Sequence, residues 1–189
     1  MKKILLTTLM NYLPLAVLTV LLCGLIYAGL QQLLRQDAND PQVQIASDTA
    51  QALAQGLPPD QLEAYSKVDL AQSLLPYVIV TDEQGKVVAA TAVLNGRAPV
   101  PPSGVLLAAK KSGENRVTWQ PRPGIRQALV IRPYSASTTG YIIAGRSLLE
   151  VEKREDMMLL MISAGGIFIL LAIFLLVLAE NILGRYLQK

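Results

Sequence analysis

Apolar residues crowd the two ends of the chain, and the middle alternates between short apolar and polar stretches. Ile4 to Leu30 is a long apolar run broken only by weakly polar residues such as Thr7, Thr8, Asn11 and Thr19. A secretory signal has a shorter apolar core, about 7–15 residues, with a small-residue cleavage site. This run is too long and predicts a retained transmembrane helix, so residues 1–34 read as a short cytoplasmic start plus a first span. Pro14 removes a backbone donor inside it and predicts a kink. Gly24 and Ala28, four apart, suit close approach of another helix. Gln31 to Arg35 is expected to end the span at the outer surface. Near the other end, Met157 to Ala179 holds 23 residues without a charge, about 35 Å as a helix and enough to cross a bilayer. Residues 180–189 follow as a short tail.

The approach to this second span has its own signal. Ser147-Leu148-Leu149-Glu150 has capping-box spacing, in which the Ser147 hydroxyl accepts from the third amide and Glu150 reaches back. Glu150 also precedes Arg154 by four residues, the favourable order for a helical ion pair. With no proline after it, the pattern predicts one helix from Ser147 through Ala179, residues 147–156 forming a linker ahead of the span. Ser147, Glu150, Val151 and Arg154 are the residues expected to carry movement along it. A plain membrane anchor uses the same residues, and both readings stand at this point.

Between the spans, Asp40-Pro41 predicts a helix start, apolar positions from Val43 to Ala54 recur every three or four residues, and Gly56-Leu57-Pro58-Pro59 stops the helix. Asp60 and Asp69 are each placed to cap a further short helix, the second ending near Leu75. From Pro76 the period changes. Tyr77–Thr81, the turn Asp82-Glu83-Gln84-Gly85 and Lys86–Thr91 read as a hairpin. Asn95-Gly96 turns again. Ser103–Ser112 predicts a helix with Lys110 and Lys111 near its end and Gly113 after it. Strands follow at Arg116–Gln120, Ile125–Arg132 and Tyr141–Arg146, the last after the polar loop Ser135–Gly140. The expected fold is α+β: a domain over 35–146 with a five-stranded antiparallel sheet and an N-terminal helix on one face. The other face is left to enclose a cavity with the crossing segment.

Charge then sets an orientation. Lys2 and Lys3 precede the first span, and Arg185 and Lys189 follow the second with Glu180 the only acid there. Arg35 to Asp156 holds 13 basic and 13 acidic residues. The net charge of +3 therefore comes from the ends, which fits the positive-inside rule better than nucleic-acid binding. Both termini are expected in the cytoplasm and the middle outside. The single cysteine, Cys23, lies in the first span, so the middle domain holds no disulfide of its own. Leu22 before it is bulky where a lipoprotein signal needs a small residue.

The chain has no histidine, which removes Ser-His and Cys-His nucleophile pairs and leaves a zinc site only carboxylates outside the membrane. Asp82 and Glu83 read as turn formers rather than an acid–base pair. No catalytic residue, metal or cofactor is expected. A small-molecule pocket is the better candidate: Arg126, Arg132 and Tyr134 share one face of the fourth strand by the two-residue period. There arginine and tyrosine suit a carboxylate or similar anion. A solvent-facing edge with ordinary charges is the competing reading. Trp119 and Tyr141 are either ligand platforms or core aromatics.

Three pieces carry a family resemblance: Tyr77-Val-Ile-Val-Thr-Asp-Glu-Gln-Gly-Lys86, the Asn95-Gly96-Arg97 turn, and Gly140-Tyr-Ile-Ile-Ala-Gly-Arg-Ser-Leu-Leu-Glu-Val-Glu152 leading into the second span. In layout, the chain resembles the extracytoplasmic PAS-like (Cache) sensor region of bacterial receptor histidine kinases and related receptors. The resemblance implies a signal-sensing input module in the bacterial cytoplasmic membrane, without enzymatic activity of its own. It departs from the citrate and dicarboxylate sensors, which carry a histidine after the second strand, and it lacks the HAMP linker and kinase that follow in such receptors. Output is therefore expected through a partner or through domains absent from this chain. The partners implied are the lipid bilayer, a small-molecule ligand, and a second copy or another membrane protein; no nucleic acid is expected. The alternative is a membrane-anchored envelope interaction or scaffolding protein that transmits nothing.

Overall fold

The computed structural model describes residues 2–37, 39–64, 66–136 and 138–186, with side chains described except at residues 2–5, 37, 63, 64 and 185. Lys189 and Ser137 therefore lie outside the described residues, as do the side chains of Lys2, Lys3 and Arg185. The chain forms two compact units, one of Met1–Leu34 with Lys153–Lys189 and the other of Arg35–Glu152. The expected linker 147–156 is thus divided between them.

The first unit is built from two long helices, α1 (Lys2–Asp37) and, after the elements of the other unit, α4 (Leu149–Tyr186). Both are long and apolar enough to cross a membrane. Helix α1 continues through Pro14 and past Arg35. Its less exposed positions, Thr8, Tyr12, Ala16, Thr19, Cys23 and Tyr27, recur every three or four residues. Those of α4 include Ile162, Gly166, Leu170, Phe174, Val177 and Asn181. The two seams meet antiparallel: the rings of Tyr12 and Phe174 stand edge to face with centroids 5.5 Å apart, and Asn181 Nδ2 donates to Thr8 Oγ1 at 3.1 Å. A Cβ added at Gly166 would come within 3.2 Å of Cys23 Sγ. Thr8, Thr19, Gly166 and Asn181 thus face inward, beside apolar neighbours such as Leu170 and Phe174. Leu6, Leu13, Leu21, Leu25, Phe168 and Leu176 point outward, each more than half exposed. That polarity is inside-out for a helix pair in water and is the one expected in lipid, where packing and interhelical hydrogen bonds replace the hydrophobic drive. The close approach expected at Gly24 and Ala28 is instead at Gly166, since a Cβ at Gly24 would meet nothing.

The second unit is α+β. Helix α2 (Asp40–Ala54) has Asn39 at its cap position and Pro41 in its first turn, one residue earlier than the Asp40 cap expected. A 3₁₀ turn follows at Pro59–Ala64. The main sheet consists of β2 (Tyr77–Asp82), β3 (Val87–Ala90), β5 (Asn115–Arg122), β6 (Ile125–Ser135) and β7 (Thr139–Ser147), all antiparallel in the order β3-β2-β7-β6-β5. Two-residue strands β1 (Val68–Asp69) and β4 (Ala92–Val93) add a small parallel pair. That pair replaces the short helix expected after Asp69: its carboxylate caps a turn, accepting from the Ala71 amide at 2.9 Å.

Local turn chemistry explains several elements. Asp82 Oδ1 accepts from the amides of Gln84 and Lys86 and Gly85 takes φ +82°, which closes the β2–β3 hairpin. Asn95 and Gly96 both have positive φ, the pairing of a tight two-residue turn. Helix α3 spans Ser103–Ser112 and ends on left-handed Gly113, as its sequence predicts.

The period of two sorts the sheet's side chains onto two covered faces. One carries Val78, Val80, Val130, Tyr134, Ile142 and Ala144 under Ala46 and Leu53 of α2. The other carries Tyr77, Ile79, Leu129, Ile131, Tyr141 and Ile143 against Leu106 and Ala109 of α3. The second face is therefore a packed core, not the cavity wall expected. Burial on both sides is why Val78-Ile79-Val80 and Ile142-Ile143-Ala144 are unbroken apolar runs. Each fully buried Ile or Leu here is worth about 1.5–3 kcal/mol.

Candidate functional site

The sheet passes into α4 through one residue. Strand β7 ends at Ser147 and α4 begins at Leu149. Leu148, between them and buried, donates its amide to the carbonyl of Arg126 on β6 at 2.9 Å. Its own carbonyl accepts the Glu152 amide, also at 2.9 Å. The sheet ladder and the helix ladder thus meet on one peptide unit. Leu148 also packs with Ala128 and Val151, and Arg126 Nη1 donates to Glu152 Oε1 across the same joint.

This moves the expected cap. Ser147 lies in the sheet, and its hydroxyl accepts from the Leu149 amide at 3.3 Å, not from the third helical amide. Leu148 holds the cap position because β6 extends the ladder one residue beyond the point where a free chain would turn helical. Glu150 and Val151 occupy the first turn of α4, with Val151 against Leu148; Arg154 lies just beyond, in the helical unit.

Of the other expected site residues, only Tyr134 and Tyr141 meet, at a cleft by the β6–β7 turn. Arg126, Arg132 and Tyr134 do share a face, the one that α2 partly covers. Tyr141 and Trp119 belong to the opposite core. Both arginines already hold carboxylates of the chain itself: Arg126 holds Glu152, and Arg132 Nε donates to Glu114 Oε2 at 2.6 Å. Arg116 Nε donates to the other Glu114 oxygen, also at 2.6 Å. Partial burial opposes ionisation of Glu114. The hydrogen bonds from Arg116 and Arg132, with their charges, outweigh it and hold the carboxyl below the usual carboxylate range. The carboxylate that Arg132 holds in this structure is an internal one, that of Glu114. Tyr134 is buried, with its hydroxyl 3.4 Å from Thr138 Oγ1. Tyr141 is buried and Trp119 half-buried, both as core aromatics. Glu83 pairs with Lys110 at 3.4 Å.

Two concavities flank the sheet. A cleft of about 280 Å³ lies at the β6–β7 turn, between Tyr134, Tyr141 and the Glu83–Lys110 pair. A groove of about 640 Å³ runs between α2 and the start of β2. Its α2 wall is Ile45, Asp48, Thr49 and Ala52, and Val68, Leu75 and Val78 face them. None of the five expected ligand residues lines this groove. It is mostly apolar, with the Asp48 carboxylate holding Gln44 Nε2 at 2.8 Å, which suits an apolar ligand with a polar end.

Polar groups that the sequence reading passed over lie inside the core. Tyr77 packs over Gly145, its register partner on β7: a Cβ there would fall 2.3 Å from the ring. Its phenol has no hydrogen-bond partner among the described residues, and burial pushes its ionisation well above the ordinary tyrosine range. Gln127 is fully buried, and neither amide atom has a partner among the described residues. By the two-residue period it lies on the Leu129 face, toward the end of the sheet that leads to α4. Only Gly145, a glycine inside a strand pattern, could have signalled this close approach.

Comparisons with known protein families, with curated proteins and with solved structures find no match to this chain.

Proposed function

We propose that this chain is a membrane-bound sensor of the PAS-like type. Its outer domain is the input module, and α4 is the output element, acting on a partner or on further domains. The observation that carries the reading is Leu148, whose amide belongs to the sheet and whose carbonyl belongs to the helix. A helix that serves only as an anchor needs no such tie. A joint with one hydrogen-bonded residue and no flexible glycine passes a shift of β6 against β7 directly into the helix start. Two further features support the reading. The five antiparallel strands with α2 on one face fit the PAS-like frame. The groove beside α2 offers room for a stimulus ligand of modest size, and α2 packs on the face that includes β6 and β7. The inside-out helix pair supports a bilayer setting.

The test reads the far end of α4. Cysteine in place of Leu183, in a Cys23→Ser background, reports cross-linking between neighbouring copies in membranes. Glu152→Lys, which breaks the joint, is expected to change the cross-linking pattern. Two glycines inserted between Glu155 and Asp156 are expected to abolish that effect, since each costs about 1 kcal/mol of helix propensity. One residue inserted there rotates the distal helix by about 100°, and seven nearly restore its phase. If Glu152→Lys, the glycine pair and the single-residue insertion all leave the pattern as in the parent, α4 is a tether and the scaffolding reading replaces this one.

A further inference from the structure

Polar side chains that face inward in the helix pair are bonded there. Asn181 Nδ2 donates to Thr8 Oγ1 and to the Val177 carbonyl, and Thr19 Oγ1 donates to the Leu15 carbonyl at 2.8 Å. Asn11 is different. It lies seven residues into the apolar run that begins at Ile4, about 10 Å along the helix axis. It is exposed on α1, off the seam of Thr8, Tyr12 and Thr19 that meets α4. Its carboxamide has no hydrogen-bond partner among the described residues. An unpartnered amide is costly in hydrocarbon, so a lipid-facing asparagine calls for a partner outside its own helix pair.

Asn11 also belongs to a row. Thr7, Asn11, Pro14, Leu18, Leu21 and Leu25 follow one another in alternating steps of four and three, and two further steps reach Gln32 through Ala28. Every one of them is exposed. Such steps average 3.5 residues, the repeat that keeps one seam against a partner helix in a two-stranded coiled coil. The positions that meet α4 run differently, with successive steps of four from Thr8 to Tyr12 to Ala16. Leucines on such a row suit lipid as well as protein and decide nothing. Asn11 decides, because a single asparagine at a contact position of this repeat fixes register and a two-stranded state.

We propose that this row of α1 packs in parallel against the same row of a second copy, with the two Asn11 carboxamides bonded to each other across the twofold axis. A second copy fits better than the helix of another protein. Copies of one chain insert with the same orientation, so parallel packing brings each position of the row to its own counterpart at the same depth. A carboxamide is both donor and acceptor, so Asn11 satisfies Asn11, and Gln32 satisfies Gln32 at the far end of the row. No charged residue stands on the row from Thr7 to Gln32, so like copies do not repel there. The inference rests on the membrane setting proposed above, not on whether α4 transmits a signal.

The test uses the full chain in membranes with Cys23→Ser. Single cysteines are placed on the row, Leu18→Cys or Leu21→Cys, and off it, Leu13→Cys or Val20→Cys. Exposure does not separate the two sets: Leu18 and Leu21 are 54% and 64% exposed, Leu13 and Val20 both 59%. Oxidation is expected to link copies several-fold faster through the row. Equal rates, or faster linkage through Leu13→Cys and Val20→Cys, overturn the proposal. Energy transfer between donor- and acceptor-labelled Leu183→Cys copies in vesicles is then followed as lipid is added. In Asn11→Leu it is expected to fall by half at several-fold less lipid than in the parent. Asn11→Gln, which keeps the carboxamide, is expected to stay near the parent. An Asn11→Leu curve that matches the parent overturns the proposal. Alkaline extraction of the same membranes separates two failures. A chain that stays with the lipid but fails these tests loses the seam alone, and a chain that is extracted loses the membrane setting and the seam with it.

Discussion

Arg126 on β6 donates to the carboxylate of Glu152 in the first turn of α4, while its main-chain carbonyl accepts the Leu148 amide. Strand and helix are tied at one residue by side chain and backbone together. The side chains of the pair are about half and one third exposed, so the ion pair itself is worth at most about 1 kcal/mol. Arg126→Ala and Glu152→Ala should each lower stability by less than that, and the double variant should cost no more than either single one. Chemical denaturation of the three variants checks this. An additive double variant would mean that the two groups do not interact.

Arg132 is expected to matter for stability and not for ligand capture. Arg132→Ala leaves Glu114 with Arg116 alone and should destabilise the domain by about 0.5–1 kcal/mol without any ligand present. A thermal melt of the ligand-free protein measures it directly.

The same cluster makes stability depend on pH. The Glu114 carboxyl is held lower in the folded chain than in the unfolded one, so folding favours its ionised form. Its contribution is complete above the unfolded value of about 4.3 and fades as pH falls through the lower folded value. Melting temperature should drop on acidification below that point, and Glu114→Gln should drop less over the same window while being less stable at neutral pH. Equal slopes for the two proteins would remove Glu114 as a contributor.

Tyr77 and Gly145 make opposite predictions about one contact. Gly145→Ala places a methyl group inside the Tyr77 ring's space and should cost about 1–3 kcal/mol. Tyr77→Phe keeps the ring and deletes a buried hydroxyl that has no partner among the described residues. It should be neutral or stabilising by up to about 1 kcal/mol. A clear loss of stability in Tyr77→Phe would show that the hydroxyl is satisfied in solution.

The basic ends predict an orientation, with both termini in the cytoplasm. A reporter active only in the cytoplasm should work when fused after Lys189 and fail when placed in the 135–140 loop. The reverse pattern would place the sheet domain inside the cell and end the sensor reading given above.

Much of the fold was legible because it is written in local patterns. Helix α3 has its proline before, its lysines near the end and its glycine after, so Ser103–Ser112 stands where the sequence places it. The Asp82–Gly85 turn is made by hydrogen bonds within five residues. The two apolar helices follow from length and composition alone. Strands β1 and β4 were not legible, because two residues have no period and their pairing is nonlocal. The short helix expected from Asp69 was lost to that pairing.

By itself the sequence determined the longer elements, the antiparallel α+β character and the apolar helices, since propensity, period and turn chemistry act over a few residues. Only the tertiary structure decided what each side chain meets. Arg132 finds Glu114 eighteen residues away in the chain, and Tyr77 finds Gly145 across a strand pair. Both contacts depend on register, and register depends on all five strands packing at once. Ser147 shows the two levels in conflict. Its capping pattern is sound for an isolated helix, but one further ladder bond, from Leu148 to Arg126, keeps Ser147 in the sheet and starts the helix one residue later.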